Sequence, residues 1–572
     1  MRITLITEGT YPIATGGVST WCDQLITGLS EHDFDVVALT GNGAGAVWKQ
    51  PVNVRSVRLI PIWGPAVPAL RAGPRRRSWI DSTQHALNHL WDAALGPDGG
   101  NAVERTTDAL QQLVGISDNV GLSHSLAARG SVAAILGAWS RHAVSAGEPP
   151  ISVADAVTAA GIVDRALALV DNRLGKADVV HASSNGPSCL LALAQLWRHN
   201  TPILLTEHGV YLRERYLALY DAKMSWPVRR TVTAFLRRLC QVAHVHAHMV
   251  LPVNQFNARW ERRLGALPER IHTISNGVDP AKYPMVTTEP DLPTIVFVGR
   301  IDPLKDLETL ISAFALVRER VPNAQLRIFG PTPKENVLYK ARLVALADNL
   351  GVTEAVHWEG PSQGSRPAVE AGHLVALSSV SEGLPFTLLE AMMCGRATVN
   401  TDVGGVAECL DEQQTSGMLV AARDHAAFAD ACVALLSDSQ MRFAMGTAAR
   451  RRALAEFTLN KCLTRYREAY EAAREGRLLA RSPRHAAPTR DIAGPAEADP
   501  RRSHGKRAAQ ATPAPLDDGL GYAPNQDPVL DDPFLEDFNH PVPEAPAAED
   551  PALAAPGPNV PAMTDTNVGL PA

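Results

Sequence analysis

Two carboxylates, Glu382 and Glu390, stand eight positions apart around a glycine and a proline in residues 381–390. Proline suits the start of a helix, where its missing N–H costs nothing, and Gly395 downstream is a stop signal. A helix starting near Pro385 leaves the backbone amides of Phe386, Thr387 and Leu388 without partners, next to Gly383. Such amides hold anions, because the helix dipole is positive at that end. Upstream, an apolar run at 294–299 reads as a buried strand that leads directly into Arg300 and Lys305. Arginine forks onto phosphate oxygens and lysine supplies a point charge. One segment therefore offers acceptors for sugar hydroxyls and free amides, and the other offers two cations. A nucleotide-sugar diphosphate needs both.

The same acids could form a hydrolase pair. Eight helical steps rise by about 12 Å, whereas the carboxyls of a glycosidase pair lie roughly 5–9.5 Å apart. The spacing favours two contacts along an extended ligand. An acidic helix start with a surface glutamate, and solvated cations ahead of a helix beginning near Asp306, are the plainer alternatives. In the N-terminal half, Gly16 and Gly17 follow the first predicted strand and would let a ligand approach the backbone closely. They are not a GxGxxG motif, which weakens a dinucleotide reading. His208 follows a predicted strand at 202–206, at the end where doubly wound sheets bind ligands; a structural role for it is equally open. His244, His246 and His248 alternate, so a strand would line them up as metal ligands, but no acid or cysteine accompanies them locally.

These residues need a scaffold, and the chain has the length for one. At 572 residues it exceeds a single core. Its 45% hydrophobic and 20% charged content is that of a globular protein, and its net charge of −6 argues against nucleic acid as the main partner. Seven scattered cysteines without CxxC spacing point to buried free thiols and a reducing compartment. The N-terminus reads as a first strand and not as a signal peptide, and no apolar run is long enough to span a bilayer.

Strands are predicted at 3–7, 35–40, 54–62, 178–182, 202–206, 247–253 and 270–275, then at 294–299, 325–329, 355–358, 374–377 and 397–400. Helical patterns lie between them, including 18–29 and 228–242. Two alternating series predict two Rossmann-like domains facing a cleft. The first, residues 1–285, carries an Ala/Leu-rich helical insert at about 78–175. The second, 286–478, ends in closing helices from about 424. Residues 479–572, rich in Pro, Ala and Asp, lack periodicity and read as a disordered tail. Basic clusters, Arg75–Arg77 with Trp79 and Arg229, Arg230, Arg237 and Arg238, read as solvated faces or as a surface for anionic lipid or an anionic acceptor.

Taken together, the second half resembles the retaining family 4 glycosyltransferases of the GT-B fold. The matching pieces are Asn276–Asp279, Val298–Arg300 with Lys305, the pair Glu382 and Glu390, and Thr401–Gly405 with Glu408. Residues 8–12, 16–21 and 205–215 are similar to the PelF branch, the cytosolic glycosyltransferases of Pel exopolysaccharide synthesis. The resemblance implies transfer of a hexosyl unit from a nucleoside diphosphate sugar, UDP-glucose by the branch, to a glycan acceptor, without a metal or other cofactor. It implies that Arg300 and Lys305 hold the diphosphate, Glu382 the sugar hydroxyls and Glu390 the ribose. The amides from Gly383 and Phe386 to Leu388 line the donor, Gly16 and Gly17 lie against the phosphates, and His208 lies near the reacting face. It also implies a cytoplasmic protein, peripheral at the inner membrane face, that meets membrane-bound polysaccharide-synthesis partners through its surface or tail. A sugar-nucleotide epimerase and a non-catalytic nucleotide-sugar-binding scaffold are the rival readings.

Overall fold

Strands that carry unbroken apolar runs must be covered on both faces, and here they form two parallel sheets flanked by helices. The computed structural model describes residues 1–479 except 42–44, 64–73, 98–100 and 222–223. The N-terminal sheet contains β1 (Arg2–Glu8), β2 (Asp33–Thr40), β3 (Val54–Pro61), β4 (Val179–Ala182), β5 (Ile203–Leu205) and β6 (Met249–Val250). Their order is β3-β2-β1-β4-β5-β6. The C-terminal sheet contains β7 (Thr294–Val298), β8 (Gln325–Phe329), β9 (Val356–Gly360), β10 (Leu374–Leu377), β11 (Ala397–Thr401) and β12 (Met418–Val420), in the order β12-β11-β10-β7-β8-β9. Each sheet reverses its winding once, between β1 and β4 in the first and between β7 and β10 in the second. A crevice opens at such a switch point, beyond the carboxyl ends of the strands.

The helical insert lies between β3 and β4. Its longest helices are Pro74–Leu95, Ala102–Val120, Val132–His142 and Val153–Leu167. It shares one core with the helix Trp226–His246, where Trp91 packs against Phe235 with ring centroids 6.2 Å apart and Trp139 against Trp226 at 5.8 Å. Two arginines of the expected basic face take part in this packing. Arg230 pairs with buried Glu148 at 3.5 Å, and Arg238 donates to the Ala93 carbonyl and to Gln241 at 3.0 Å each. They tie the insert to the domain and are not a solvated or lipid-facing surface. The side chains of residues 74–77 lie outside the described set.

Two other expectations are corrected, and one strand was not foreseen. His244 and His246 sit in the last turns of the helix Trp226–His246, so the three histidines do not share a strand face. His244 instead hydrogen-bonds to Glu207 at 2.8 Å in the core. Among the described residues no cluster of three or more His, Cys, Asp or Glu is placed to hold a metal. The segment 270–275 forms one isolated bridge, Val250 to Ile271, in place of a strand, and β12 had no predicted counterpart.

The closing helix Leu459–Arg474 crosses back onto the N-terminal domain. Tyr466 and Tyr470 on it are fully buried. The Tyr470 hydroxyl bonds to His181 Nδ1 at 2.7 Å, and His181 Nε2 to Thr206 Oγ1 at 2.9 Å. Leu479 is buried in the same core. The predicted tail from 480 onward lies outside the described residues. All seven cysteines are free and buried. No described helix is long and apolar enough to cross a membrane.

Across the cleft the domains come backbone to backbone at Gly383. A Cβ on Gly383 would stand 1.7 Å from the His208 carbonyl oxygen, so only glycine allows this approach. Gly383→Ala should therefore push the domains apart, at a cost of about 1–3 kcal/mol for the forced shift. The expected readout is a larger radius of gyration in small-angle scattering. Unchanged dimensions together with unchanged thermal stability would remove this contact as the hinge constraint.

Candidate functional site

The C-terminal-domain wall of the crevice is assembled from the ends of β7 and β10, the two strands at the switch point. After β7 the chain places Arg300, Asp302 and Lys305. After β10 it places Ser378, Ser379, Ser381 and Glu382. Backbone and side-chain bonds lock the two loops together: Val380 N–H donates to the Leu304 carbonyl (2.9 Å), and Ser378 Oγ donates to the Lys305 carbonyl (2.8 Å). The helix that follows, Phe386–Met393, begins directly after Pro385, and Thr387 Oγ1 anchors its first turn to the Val298 carbonyl at 3.2 Å. Phe386 and Thr387 of its first turn line the same cleft as Arg300 and Lys305.

Lys305 Nζ is 2.5 Å from Glu382 Oε1, and Ser379 Oγ donates to the same oxygen at 2.6 Å. Glu382 retains only 9% side-chain exposure against 23% for Lys305, so the pair sits in the wall and not in open water. Arg300 is half-exposed, with Asp302 at 3.4 Å. Glu390 lies within the helix: Tyr283 donates to its Oε1 at 2.8 Å, and burial raises its carboxyl above the usual range despite bonds from Ser365 and Tyr283.

The opposing wall comes from the N-terminal domain. It contains Gly16 and Gly17 ahead of the helix Gly17–Gly28, His208 after β5, and Tyr211, Arg213, Glu214 and Arg215 on the helix Tyr211–Asp221. Phe386 on the donor helix lies against Gly17: a Cβ there would be 3.4 Å from its ring, whereas Gly16 faces open space. His208 stacks edge-on against Trp21, centroids 4.6 Å apart, and burial lowers its pKa to about 3. The imidazole is therefore neutral at ordinary pH, and its buried Nε2 has no partner. Arg213 crosses the seam to donate to Ser381 Oγ at 2.5 Å. Together the walls enclose a cleft of ≈ 670 Å³. Every residue singled out for this site except Leu388 lines it, Gly16, Gly17, His208, Arg300, Lys305, Glu382, Gly383, Phe386, Thr387 and Glu390 among them. Leu388 is buried under the same helix turn, its side chain turned into the core.

Sequence reasoning did not single out Glu8, Arg213, Glu214 or Tyr283. Glu8 had a legible signal, since it is a charged residue ending a predicted central strand. Tyr283 had none, because it reaches Glu390 from the interdomain connection.

Two family descriptions match the chain: "Domain of unknown function (DUF3492)" over residues 1–269 and "Glycosyl transferases group 1" over 292–438. The D-inositol 3-phosphate glycosyltransferase of Salinispora arenicola is 31% identical over 229 residues, 36% of this chain and 51% of that protein. The one from Pseudarthrobacter chlorophenolicus is 30% identical over 293 residues, 49% of this chain and 67% of that protein. The chain spans about half the length of most curated relatives it matches. Among solved structures, the sucrose-phosphate synthase of Thermosynechococcus elongatus aligns over 82% of this chain and 98% of its own, with TM-score 0.53 and 17% identity. Anabaena HepE, in complex with UDP and glucose, aligns over 82% and 99%, with TM-score 0.52 and 14% identity. The two facing Rossmann-like domains are thus the GT-B fold, and the chain belongs to the group 1 glycosyltransferases.

Proposed function

We propose that this chain transfers a hexosyl unit from a UDP-sugar, UDP-glucose by the PelF-branch resemblance, to a hydroxyl of a glycan, with retention at the anomeric carbon. The observation that carries the reading is the convergence at one switch point of Arg300, Lys305, a helix N-terminus and the two carboxylates, opposite Gly17 and His208. The UDP and glucose held by HepE fit the same donor class.

The charges divide the labour. In the free protein Lys305 is occupied by Glu382. An incoming diphosphate competes for that ammonium while Arg300, only loosely paired, turns to it from the half-exposed rim. Together with the amides of residues 386–388 these groups stabilise the diphosphate as its charge grows on leaving. Glu382 keeps its bond from Ser379 and regains an oxygen for sugar hydroxyls, and its charge offsets the positive charge developing at the anomeric carbon. Glu390, fixed by Tyr283, takes the ribose hydroxyls. Neutral His208, with Nε2 open, exchanges a hydrogen bond with the sugar without adding a second positive charge. Protein cations and helix amides carry the charge that a divalent ion carries in other transferases, so activity is expected to survive EDTA; rescue by manganese or magnesium after EDTA treatment would reject that part.

Arg300→Ala and Lys305→Ala should each weaken UDP binding by one to two decades, the worth of about 1.5–3 kcal/mol for a charge-assisted contact. Calorimetric titration reads this directly, and unchanged affinity in both variants moves the phosphates elsewhere. Glu382→Gln should bind UDP normally yet lose most of kcat. Glu390→Gln should mainly raise the donor KM, because a ribose contact is equal in ground and transition states. The reverse pattern in steady-state kinetics exchanges the two roles, and no effect from either removes the transferase reading of the cleft.

A further inference from the structure

The donor groups occupy one switch point. The other lies across the cleft, between β1 and β4 of the N-terminal sheet, and Glu8 ends β1 there. Glu8 lines the cleft together with Ser183 and Ser184, the first residues after β4. Its Oε1 is reached by the Tyr211 hydroxyl at 3.4 Å. Its Oε2 is shut off from bulk water and has no hydrogen-bond partner. Arg215, on the same helix as Tyr211, lies with its guanidinium 5.5 Å from the Tyr211 ring and acts on Glu8 by its charge. Tyr211 reaches this position only because Gly186 makes room: a Cβ there would be 2.2 Å from the ring. Glu207 holds the start of the helix by accepting the Tyr211 N–H at 3.1 Å, and His244 holds Glu207.

We propose that Glu8, with Tyr211 and Arg215, is a second sugar subsite that grips hydroxyls of the acceptor; this rests on the transferase reading of the cleft. An unsatisfied carboxyl oxygen in a cavity wall calls for a donor. A fully ionised phosphate or carboxylate ligand brings no donor and, above about pH 7, repels the ionised Glu8 carboxylate, and an apolar ligand leaves the oxygen orphaned. A neutral polyhydroxylated ligand supplies O–H donors to Oε2 and can accept from Tyr211 and Arg215. Trp63, past the end of β3 on the same side of the cleft, adds an aromatic wall suited to a sugar face.

The subsite also carries a pH signature. Burial pushes the Glu8 carboxyl up to about 7, against the pull of the Arg215 charge, the Ser188 N–H and the Tyr211 hydroxyl. The other titratable groups that feel it are Tyr211, Cys189 and Cys240, all held neutral by burial. The ionised carboxylate accepts hydroxyls more strongly than the acid does, so sugar affinity rises as pH climbs through about 7.

The test uses glucose as the probe and the full chain saturated with UDP. Crystals soaked in glucose should show a sugar hydroxyl on Glu8 Oε2, and solution affinity for glucose should be several-fold higher at pH 8 than at pH 6. Glu8→Gln should lower the affinity at pH 8 roughly tenfold and flatten the pH dependence. Tyr211→Phe, which removes one hydroxyl and no charge, should weaken binding while keeping the slope. UDP titration on the same samples reports the donor site and the fold of each variant separately. Glucose absent from Glu8 while UDP is bound, or an unchanged pH slope in a Glu8→Gln protein that binds UDP, overturns the subsite. Failure of UDP to bind while glucose occupies Glu8 keeps the subsite and overturns the donor assignment.

Discussion

The site depends on a stack of backbone with no side chains in it. Gly383 presses its α-carbon against the carbonyl of His208, and Gly404 does the same to the carbonyl of Glu382. The Gly405 N–H closes the stack by donating to the Gly383 carbonyl at 3.0 Å. Gly404 adopts φ +57, which a side chain would strain as well as obstruct. The donor loop is thereby sandwiched between the N-terminal domain and the loop after β11. Glu382, at its centre, has almost no freedom to move with its backbone. This is how a carboxylate on a loop acquires the precision ordinarily given by a helix or strand.

Charge around this stack is paired and not left bare. Lys305 is satisfied by Glu382, and Arg213 reaches Ser381 from the opposite domain. Neither cation is buried without compensation, which would cost more than any surface pair returns. Under the proposed reading the compensation is also exchangeable, because a donor diphosphate offers better oxygens than a single shared carboxylate. Glu214 adds a brake on the other side. It is wedged against Gly209, and burial, with the charges of Glu207 and Glu382 as further contributors, raises its carboxyl above the usual range.

The strands and most of the residues that line the cleft were legible because both follow local rules. Apolar runs bounded by Gly and Pro marked the strands, and the cations and carboxylates were read from the loops that follow two of them. What stayed hidden depends on contacts distant in sequence. The alternation of His244, His246 and His248 imitates a strand, yet the helix starting at Trp226 runs on through His246, its apolar face packed on the insert, and leaves His248 beyond its end. Arg230 and Arg238 look like surface charges until Glu148 and the Ala93 carbonyl arrive from the insert. Strand β12, three residues long, is held by its pairing with β11 and carries too little pattern to announce itself. Tyr283 has an ordinary local context and Glu8 shows only a charge at a strand end; the folded chain brings one to Glu390 and the other to Tyr211.

The closing helix links these parts. A chain that ended with the second sheet would leave Trp21, His181 and Phe34 of the first domain open to water. Tyr466 and Tyr470 cover them: Tyr466 lies edge-on to Trp21 at 5.4 Å, and Trp21 in turn supports His208 at 4.6 Å. Aromatic contacts of this kind add to area burial with a defined geometry. The ring of His208 is thus placed by residues of the C-terminal segment, while its carbonyl is placed by Gly383 of the donor loop. A residue of the N-terminal domain therefore receives its position from the rest of the chain through two independent routes, one covering its aromatic support and one pressing on its backbone. Loss of the helix contact would free the ring without freeing the loop, so packing behind the cleft and closure across it are separable constraints on the same histidine.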